Sequence, residues 1–376
     1  MLRILFTGGG TGGHIYPILA VAEELKSLGK TVNVEMELKY LGAPERYADL
    51  LEANGIKVSR IFSAKLRRQF DLRNFADIPK FFISFFQALW KILFWMPDVL
   101  FSKGGPGALP VILAAKFYRV PLIIHESDAA PGLANKLSSR FADRIGISFK
   151  SAAASLKNKN IALTGNPIRR SFLEIIDQAA AKKNFGFNPA QSVILVVGGS
   201  QGSTRINSFF MDIVGELLKD YQILHQTGKN NFDEFKKELE VVLKNFSAEE
   251  KARYKIVPYF ENDIKEAYAA ADLIISRAGS GSIFEIAAMG KPSILIPLPE
   301  AANNHQVQNA YEYAGSGGAV VLEETNFKPH ILLEQIKKIL TDPQKIKSMS
   351  EAAKNFSKPE AAKRIAEEIL NLTKSY

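Results

Sequence analysis

Apolar residues recur along this chain in two alternating rhythms. Short runs such as Leu2-Arg3-Ile4-Leu5-Phe6, Pro121 to Ile124 and Ser192-Val193-Ile194-Leu195-Val196-Val197 read as buried strands. Longer stretches with apolar positions three or four apart read as helices. Ile18, Leu19, Ala22, Leu25 and Leu28 set the first of these, from Ile15 to Leu28, and Ala361, Ile365, Ile369 and Leu372 set the last. Strands are expected near 3–8, 32–41, 56–62, 98–102, 121–126, 144–149 and 160–164, and again near 192–197, 222–226, 255–259, 272–277, 292–297 and 318–322. Such alternation predicts parallel sheets with helices on both faces, and ligands at the carboxyl ends of the strands. The rhythm pauses at Asn166-Pro167-Ile168-Arg169-Arg170 and restarts. A strand, a glycine-rich turn and a helix open each half: Gly8-Gly9-Gly10-Thr11-Gly12-Gly13-His14 in the first, Gly198-Gly199-Ser200-Gln201-Gly202-Ser203 in the second. The pattern predicts two similar nucleotide-fold domains and not one large sheet.

One segment breaks the rhythm. Phe81 to Met96 carries one charge, Lys91, and seven aromatic residues. It is too short and too interrupted to span a bilayer, which needs about 20 apolar residues. Lys65, Arg67, Arg68, Arg73 and Lys80 lie upstream. Aromatic surface beside basic residues suits an anionic membrane interface. The alternative is a helix buried on two sides, since few polar positions break it beyond Ser84, Gln87 and Lys91.

Composition narrows the class. A length of 376 residues favours two domains, and 47% hydrophobic content is ample for packed cores. The absence of cysteine removes disulfides, thiolate metal sites and thiol nucleophiles, and fits a reducing cytoplasm. Met1-Leu2-Arg3 leads directly into a strand, so no secretory leader is expected. The net charge of +9 points to an anionic partner: nucleic acid, a membrane surface or a phosphorylated substrate. That charge is spread among many acidic residues and does not single out nucleic acid. No Asp-x-Asp pair occurs and no histidines stand at zinc spacing, so neither metal nor cofactor is expected. A diphosphate would then be neutralised by helix termini and by basic residues such as Arg169.

The strand-to-helix turns are the first places to look for chemistry. Gly8, Gly10 and Gly13 fit the dinucleotide pattern G-x-G-x-x-G, and equally fit a turn that only lets helix and strand pack. In Ser276-Arg277-Ala278-Gly279-Ser280-Gly281-Ser282-Ile283-Phe284-Glu285, helix-start amides can hold a diphosphate and Glu285 a ribose. Ser282-x-x-Glu285 is also a capping box. Asn303-Asn304-His305-Gln306-Val307-Gln308-Asn309 can read sugar hydroxyls or can be an Asn-capped helix start. His125-Glu126-Ser127-Asp128 follows a strand, where ionisable residues form a site or a solvated loop. His14 can take a proton near neutral pH or cap its helix.

Taken together and in order, Gly8 to Pro17, His125-Glu126, Pro131-Gly132-Leu133-Ala134-Asn135, Gly165-Asn166-Pro167-Ile168-Arg169, Gly198 to Gly202 and Glu285-Ile286-Ala287-Ala288-Met289-Gly290-Lys291-Pro292 resemble the MurG family of bacterial glycosyltransferases, in family 28, over nearly the whole chain. The resemblance implies an α/β fold of the GT-B type, two Rossmann-like domains with parallel sheets facing across a cleft. Residues 1–166 would form an acceptor- and membrane-facing domain, 167–356 a UDP-GlcNAc-binding domain, and 357–376 a helix returning to the first. It implies inverting transfer of GlcNAc from UDP-GlcNAc to the 4-hydroxyl of MurNAc in undecaprenyl-diphospho-MurNAc-pentapeptide, lipid I to lipid II, in peptidoglycan synthesis. The protein would be peripheral, on the cytoplasmic face of the bacterial inner membrane, with an anionic membrane surface met through residues about 65–96, and with no nucleic-acid partner.

By the same resemblance Thr11, Gly12 and Gly13 would lie near donor sugar and acceptor, and Arg169 and Ser200 near the donor phosphate. Ser280, Gly281 and Ser282, followed by Ile283 and Phe284, would present amides to the diphosphate. Glu285 would bind the ribose, His305 and Gln306 the GlcNAc hydroxyls, and Phe260 and Glu261 the uracil through main-chain atoms. His14, Asp128 and Glu126 would be the catalytic candidates. Two departures stand out: the family's His-Glu-Gln-Asn is His125-Glu126-Ser127-Asp128 here, which makes Asp128 a second candidate base, and Pro106 replaces an aromatic residue after Lys103-Gly104-Gly105. Three competing readings remain. They are another lipid-directed sugar transferase, a nicotinamide-dependent oxidoreductase with Glu35 or Glu37 on the ribose, and a non-enzymatic membrane adaptor built on residues 81–96.

Overall fold

The structure is a computed structural model that describes residues 1–62, 73–199, 202–261, 263–326 and 328–374. The chain forms two compact units, Met1–Arg169 with Lys358–Tyr376, and Arg170–Ser357.

In unit 1 the order is β1 (Leu2–Thr7), α1 (Gly12–Thr31), β2 (Met36–Gly42), α2 (Ala48–Ala53), β3 (Lys57–Arg60), α3 (Arg73–Trp95), β4 (Val99–Ser102), α4 (Leu109–Phe117), β5 (Leu122–Glu126), α5 (Leu133–Ser138), β6 (Arg144–Ile147) and β7 (Ile161–Leu163). Among the described residues these strands make one parallel sheet of seven, ordered β3-β2-β1-β4-β5-β6-β7. Leu2 pairs with Met36 on one side of β1, and Ile4 with Val99 on the other. A central strand is covered on both faces, which is why Ile4, Leu5 and Phe6 are buried as a continuous apolar run. The second strand starts later than its apolar run suggests. α1 continues to Thr31, Asn33 takes a left-handed φ of 53°, and Val34 N–H donates back to the Gly29 carbonyl at 2.9 Å, so residues 32–34 close a helix.

Unit 2 runs α6 (Gln178–Asn184), β8 (Val193–Val197), α7 (Thr204–Asp220), β9 (Gln222–Gln226), α8 (Phe232–Val242), α9 (Ala248–Ala252), β10 (Tyr254–Val257), α10 (Ile264–Ala270), β11 (Leu273–Ser276), α11 (Ser280–Ala288), β12 (Ser293–Leu295), α12 (His305–Ala314), β13 (Ala319–Val321), α13 (Pro329–Leu340) and α14 (Pro343–Phe356). Its strands among the described residues form a parallel sheet of six, ordered β10-β9-β8-β11-β12-β13. The last helix, α15 (Ala361–Lys374), belongs to unit 1, where Ile365, Ala366 and Ile369 share a core with Ile18, Ala22 and Leu25 of α1.

The opposite face of the first sheet is covered by α3 and α4. Ala88 and Ile92 pack there with Val111, Ile112 and Ala115, and the Ser84 hydroxyl is satisfied by the Lys80 and Phe62 carbonyls, each at 2.7 Å. The outward ridge of α3 is different. Phe82, Phe86, Trp90 and Phe94, four residues apart, are 55–69% exposed, so burial on two sides does not occur. Lys65, Arg67 and Arg68 lie outside the described residues, as does the side chain of Arg73.

In both sheets the strand order reverses at one place, between β1 and β4 and between β8 and β11. Loops leaving such a switch point diverge and open a crevice at the strand ends. Residues 8–14 and 103–107 leave one; residues 198–199, 202–203 and 277–280 leave the other.

Candidate active site

The turn after β1 is pinned from beneath, where the Tyr40 hydroxyl donates to the Gly8 carbonyl at 2.8 Å. α1 starts at Gly12, so Gly12 and Gly13 form its first turn and Thr11 is its N-cap residue. The glycines before it wrap the His14 ring: a Cβ at Gly9 would stand 2.8 Å from His14 Nδ1, and one at Gly105, whose φ is +91°, would stand 3.1 Å from Nε2. Only hydrogen fits at either place. Gly13 differs, since a Cβ there would meet nothing within 4 Å. Thr11 Oγ1 lies 2.8 Å from His14 Nδ1. Burial, then the Lys103 ammonium, pull the half-buried imidazole down to about 4, against the opposing field of Asp128.

Lys103 itself is buried after β4. Its Nζ donates to Ser127 Oγ at 2.5 Å and lies 2.5 Å from His125 Nδ1 and 3.4 Å from Asn166 Oδ1. His125 Nε2 lies 2.9 Å from the Gly165 carbonyl, which assigns the ring proton to Nε2 and leaves Nδ1 to accept from Lys103. Burial lowers Lys103 to about 7 while Glu126 and Asp128 hold it up; burial also keeps the His125 ring far below its usual range and neutral. Glu126 is raised by burial and then by Asp128. Its carboxylate accepts from the backbone N–H of Asp128 and of Gly132, each at 3.0 Å, and from Asn135 Nδ2 at 2.9 Å. Those contacts engage both Glu126 oxygens in holding the 127–135 loop. The half-buried Asp128 stands beside it at the strand end. Arg169 lies with unit 1, its guanidinium 4.8 Å from the Tyr16 ring centre.

In unit 2, α11 begins at Ser280 with Gly279 as N-cap and no side-chain cap. Ser282 therefore lies inside the helix, and the Ser282–Glu285 capping box does not form. The amides of Ser280, Gly281 and Ser282 head a helix that no side chain closes. A Cβ at Gly279 or Gly281 would meet nothing within 4 Å, and Ser280 Oγ, buried, has no hydrogen-bond partner among the described residues. Ile283 and Phe284 are buried, and Ile283 N–H already donates to the Gly279 carbonyl at 3.0 Å. Glu285 is half-buried one turn further on. His305 opens α12 after Asn303 and Asn304, both left-handed at φ 57° and 52°. Asn304 is the N-cap without a side-chain cap, so the amide run is no Asn-capped start. His305 Nδ1 lies 2.7 Å from the Ala302 carbonyl, and Gln306 Oε1 accepts from Leu298 N–H at 3.1 Å. Ser200 and Gln201 lie outside the described residues. Phe260 is buried and its N–H donates to Gln226 Oε1 at 3.2 Å; Glu261 is exposed and paired with Lys229 at 2.9 Å.

Several residues that hold these loops carry no local sequence signal. Gln226 bridges the Phe260 amide and the Gly199 carbonyl, the latter at 2.8 Å. Arg277 donates to Ser203 Oγ at 2.7 Å and to the Ile296 carbonyl at 3.2 Å, and pairs with buried Glu324 at 2.5 Å. It thereby ties together the loops after β8, β11, β12 and β13. A buried polar side chain reaching across strand ends is visible only once the strand order is known.

Comparison with known proteins identifies the scaffold. Residues 4–147 match the glycosyltransferase family 28 N-terminal domain and residues 193–365 the family 28 C-terminal domain. The chain is 38% identical over 341 residues to the "UDP-N-acetylglucosamine--N-acetylmuramyl-(pentapeptide) pyrophosphoryl-undecaprenol N-acetylglucosamine transferase" of Clostridium kluyveri, covering 90% of this chain and 91% of that one. It is 36% identical over 364 residues to the protein of the same name from Halothermothrix orenii, covering 95% of each. The crystal structure of Acinetobacter baumannii MurG superposes with a TM-score of 0.75 at 25% identity, over 99% of this chain and all of that one. With its two parallel-sheet α/β units the fold is of the GT-B type, and the chain belongs to glycosyltransferase family 28, in the MurG family of N-acetylglucosaminyltransferases.

Proposed function

We propose that this enzyme transfers GlcNAc with inversion from UDP-GlcNAc to the 4-hydroxyl of MurNAc in undecaprenyl-diphospho-MurNAc-pentapeptide, making lipid II from lipid I. The observation that carries the reading in this chain is the uncapped start of α11 with Glu285 one turn behind it, in a sequence 36–38% identical to transferases of that name. Unit 2 takes the donor: the amides of Ser280 to Ser282 face the diphosphate, Glu285 the ribose, and His305 and Gln306 the sugar. Phe260 contributes to the uracil site by its side chain and carbonyl, since Gln226 takes its amide hydrogen. Unit 1 takes the acceptor at the turns of Gly8–His14 and Lys103–Gly105.

In the reaction the acceptor oxygen bonds to C1 of GlcNAc as the bond from C1 to the diphosphate breaks, and UDP leaves. The acceptor proton goes to a base. His14 is neutral at pH 7, with a pKa of about 4, and so has a lone pair to accept it. With Nδ1–H donating to Thr11 Oγ1, Nε2 is the accepting atom. An acceptor diphosphate nearby would raise the imidazole and make it a better base. Asp128 is the second candidate, and Glu126 acts by holding its loop. The test is transfer of radiolabelled GlcNAc from UDP-GlcNAc to a lipid I analogue, with EDTA present. Full transfer supports the reading; no transfer by folded protein overturns it.

The enzyme meets its lipid-linked acceptor as a peripheral protein on the cytoplasmic side of the membrane, through the aromatic ridge of α3. Among the described residues no helix is long and apolar enough to cross a membrane. The ridge, Lys80, Lys91 and the net charge of +9 suit an anionic leaflet. Replacing Phe82 and Phe86 by Ser lowers sedimentation with anionic liposomes on this reading; undiminished binding discards it.

A further inference from the structure

The segment between β12 and α12 stands in a costly shape. Asn303 and Asn304 take left-handed φ of 57° and 52° in succession. Asparagine visits that region singly and seldom in runs. Such backbone persists where its surroundings over-determine it. Part of the hold is local: Ala301 N–H donates to the Leu298 carbonyl at 3.2 Å, and Asn304 N–H to the Ala301 carbonyl at 2.8 Å. The two side chains assigned to the sugar lean on the same turn. His305 Nδ1 lies 2.7 Å from the Ala302 carbonyl, and Gln306 Oε1 accepts from Leu298 N–H at 3.1 Å. Where these side chains point is therefore set by where the turn stands.

Arginines tie the turn to the rest of unit 2. Arg277 donates to the Ile296 carbonyl at its start. Arg205, in the first turn of α7, reaches its middle: Nη1 pairs with Glu300 at 3.2 Å and also with Glu324. The Glu324 side chain is buried and faces Arg277 on its other side. The charges thus alternate along one chain, Arg277, Glu324, Arg205, Glu300. Its inner end touches Ser203 Oγ, the cap of α7 in the glycine turn after β8, and its outer end is the turn before His305. Arg205 and Glu300 are both more than half exposed, so their pair adds little to stability. Its effect is on geometry. The buried anchor at Glu324 fixes the guanidinium, and Glu300 docks on a cation whose place is already set.

We propose that Arg205 is a positioning residue for the donor sugar: by joining Glu300 to Glu324 it fixes the 298–304 turn and so aims His305 and Gln306 at the GlcNAc hydroxyls. Arg205 acts through those two side chains, and this rests on the donor reading of unit 2. Loss of the clasp costs recognition of the sugar and leaves recognition of the nucleotide.

The test measures binding of UDP and of UDP-GlcNAc to the full-length protein by titration calorimetry, with kcat and KM on a lipid I analogue. Arg205→Met should weaken UDP-GlcNAc about tenfold and lower kcat, since small misplacements at a reacting centre cost rate, while the Kd for UDP stays within about twofold. Glu300→Gln leaves Arg277, Glu324 and Arg205 joined, so it spares the fold, and should weaken UDP-GlcNAc about fivefold. Arg205→Lys keeps a cation between the two carboxylates and should recover most of the loss. The double variant Arg205→Met with Glu300→Gln should be no worse than Arg205→Met alone, as for two residues that act as one unit. Equal losses for UDP and UDP-GlcNAc make the clasp a general support of unit 2, and unchanged binding of both makes it a surface ion pair only. Either result overturns the proposal. Unsubstituted protein that binds neither nucleotide overturns the donor reading, and the positioning role with it.

Discussion

The turn before α1 and the turn before α11 are both glycine-rich strand-to-helix turns at switch points, and they use their glycines differently. In unit 1 the glycines ahead of α1 are consumed by the protein itself, while Gly13 inside the helix is open. Gly9 and Gly105 close on His14, and the turn packs over a buried, neutral or near-neutral group of Lys103, His125 and Ser127. In unit 2 the glycines at the start of α11 press on nothing, and the charge is a full ion pair, Arg277 with Glu324, set behind the loops. A glycine that touches protein is there for packing, and one that touches nothing leaves room for a ligand. The first region is built to tune a side chain, the second to expose backbone amides.

The largest effect expected from this contrast is on stability. Arg277→Met strips a buried carboxylate of one of its two arginine partners, Arg205 being the other. It should cost about 3 kcal/mol and lower Tm by roughly 10 °C, read by thermal unfolding. Lys103→Met in unit 1 has near-neutral imidazole and hydroxyl partners and should cost far less. Equal losses would erase the distinction between the two regions.

Next in size is the donor site. Glu285→Ala should raise KM for UDP-GlcNAc about 10- to 100-fold, since a hydrogen bond to a charged group contributes about 1.5–3 kcal/mol, with a smaller change in kcat. The glycines give a smaller and more direct comparison. Gly105→Ala combines a φ of +91° with a Cβ 3.0 Å from Gly9 N, and should lose about 1–3 kcal/mol of stability. Gly281→Ala should leave Tm within a degree or two and weaken only the donor, measured by KM.

The smallest effect is in pH dependence. The folded His14 pKa of about 4 lies below the unfolded value of about 6.5. The unfolded chain therefore takes up the proton first, and stability is lost as pH falls through 6.5 and levels off below about 4. His125, far below its usual range, and His225, lowered by burial to about 3, add in the same sense. His14→Asn should make the acid-side loss shallower without removing it. If His14 is the base, the acid limb of kcat/KM lies near pH 4 and moves upward in Lys103→Met, because Lys103 is one of the groups holding the imidazole down. A limb unmoved by that substitution would separate the Lys103 group from the base.

Much of the fold was legible in the alternation of apolar runs, because strands covered on both faces and helices covered on one bury residues with different periods. Element ends were less legible. The residues after Thr31 look like strand by composition but close a helix through Asn33. Glu285 and the loop around Ser280 were named from local pattern, yet whether Ser282 caps the helix or sits inside it depended on where the helix began. Phe81 to Met96 shows the same division: its aromatic content was plain, but which ring faces water was set by α4 packing on the side of Ala88 and Ile92.

By itself, then, the sequence determined two parallel α/β folds, their glycine turns and the family, since these follow from periodicity and short contiguous motifs. The tertiary structure alone decided which glycines are cradles and which are open, that Lys103 and Arg277 reach across strand ends, and that Arg205 joins Glu300 to Glu324. Those groups lie far apart in the chain. Strand order and helix docking bring them to one place, and only there can burial and neighbouring charge change what each side chain does.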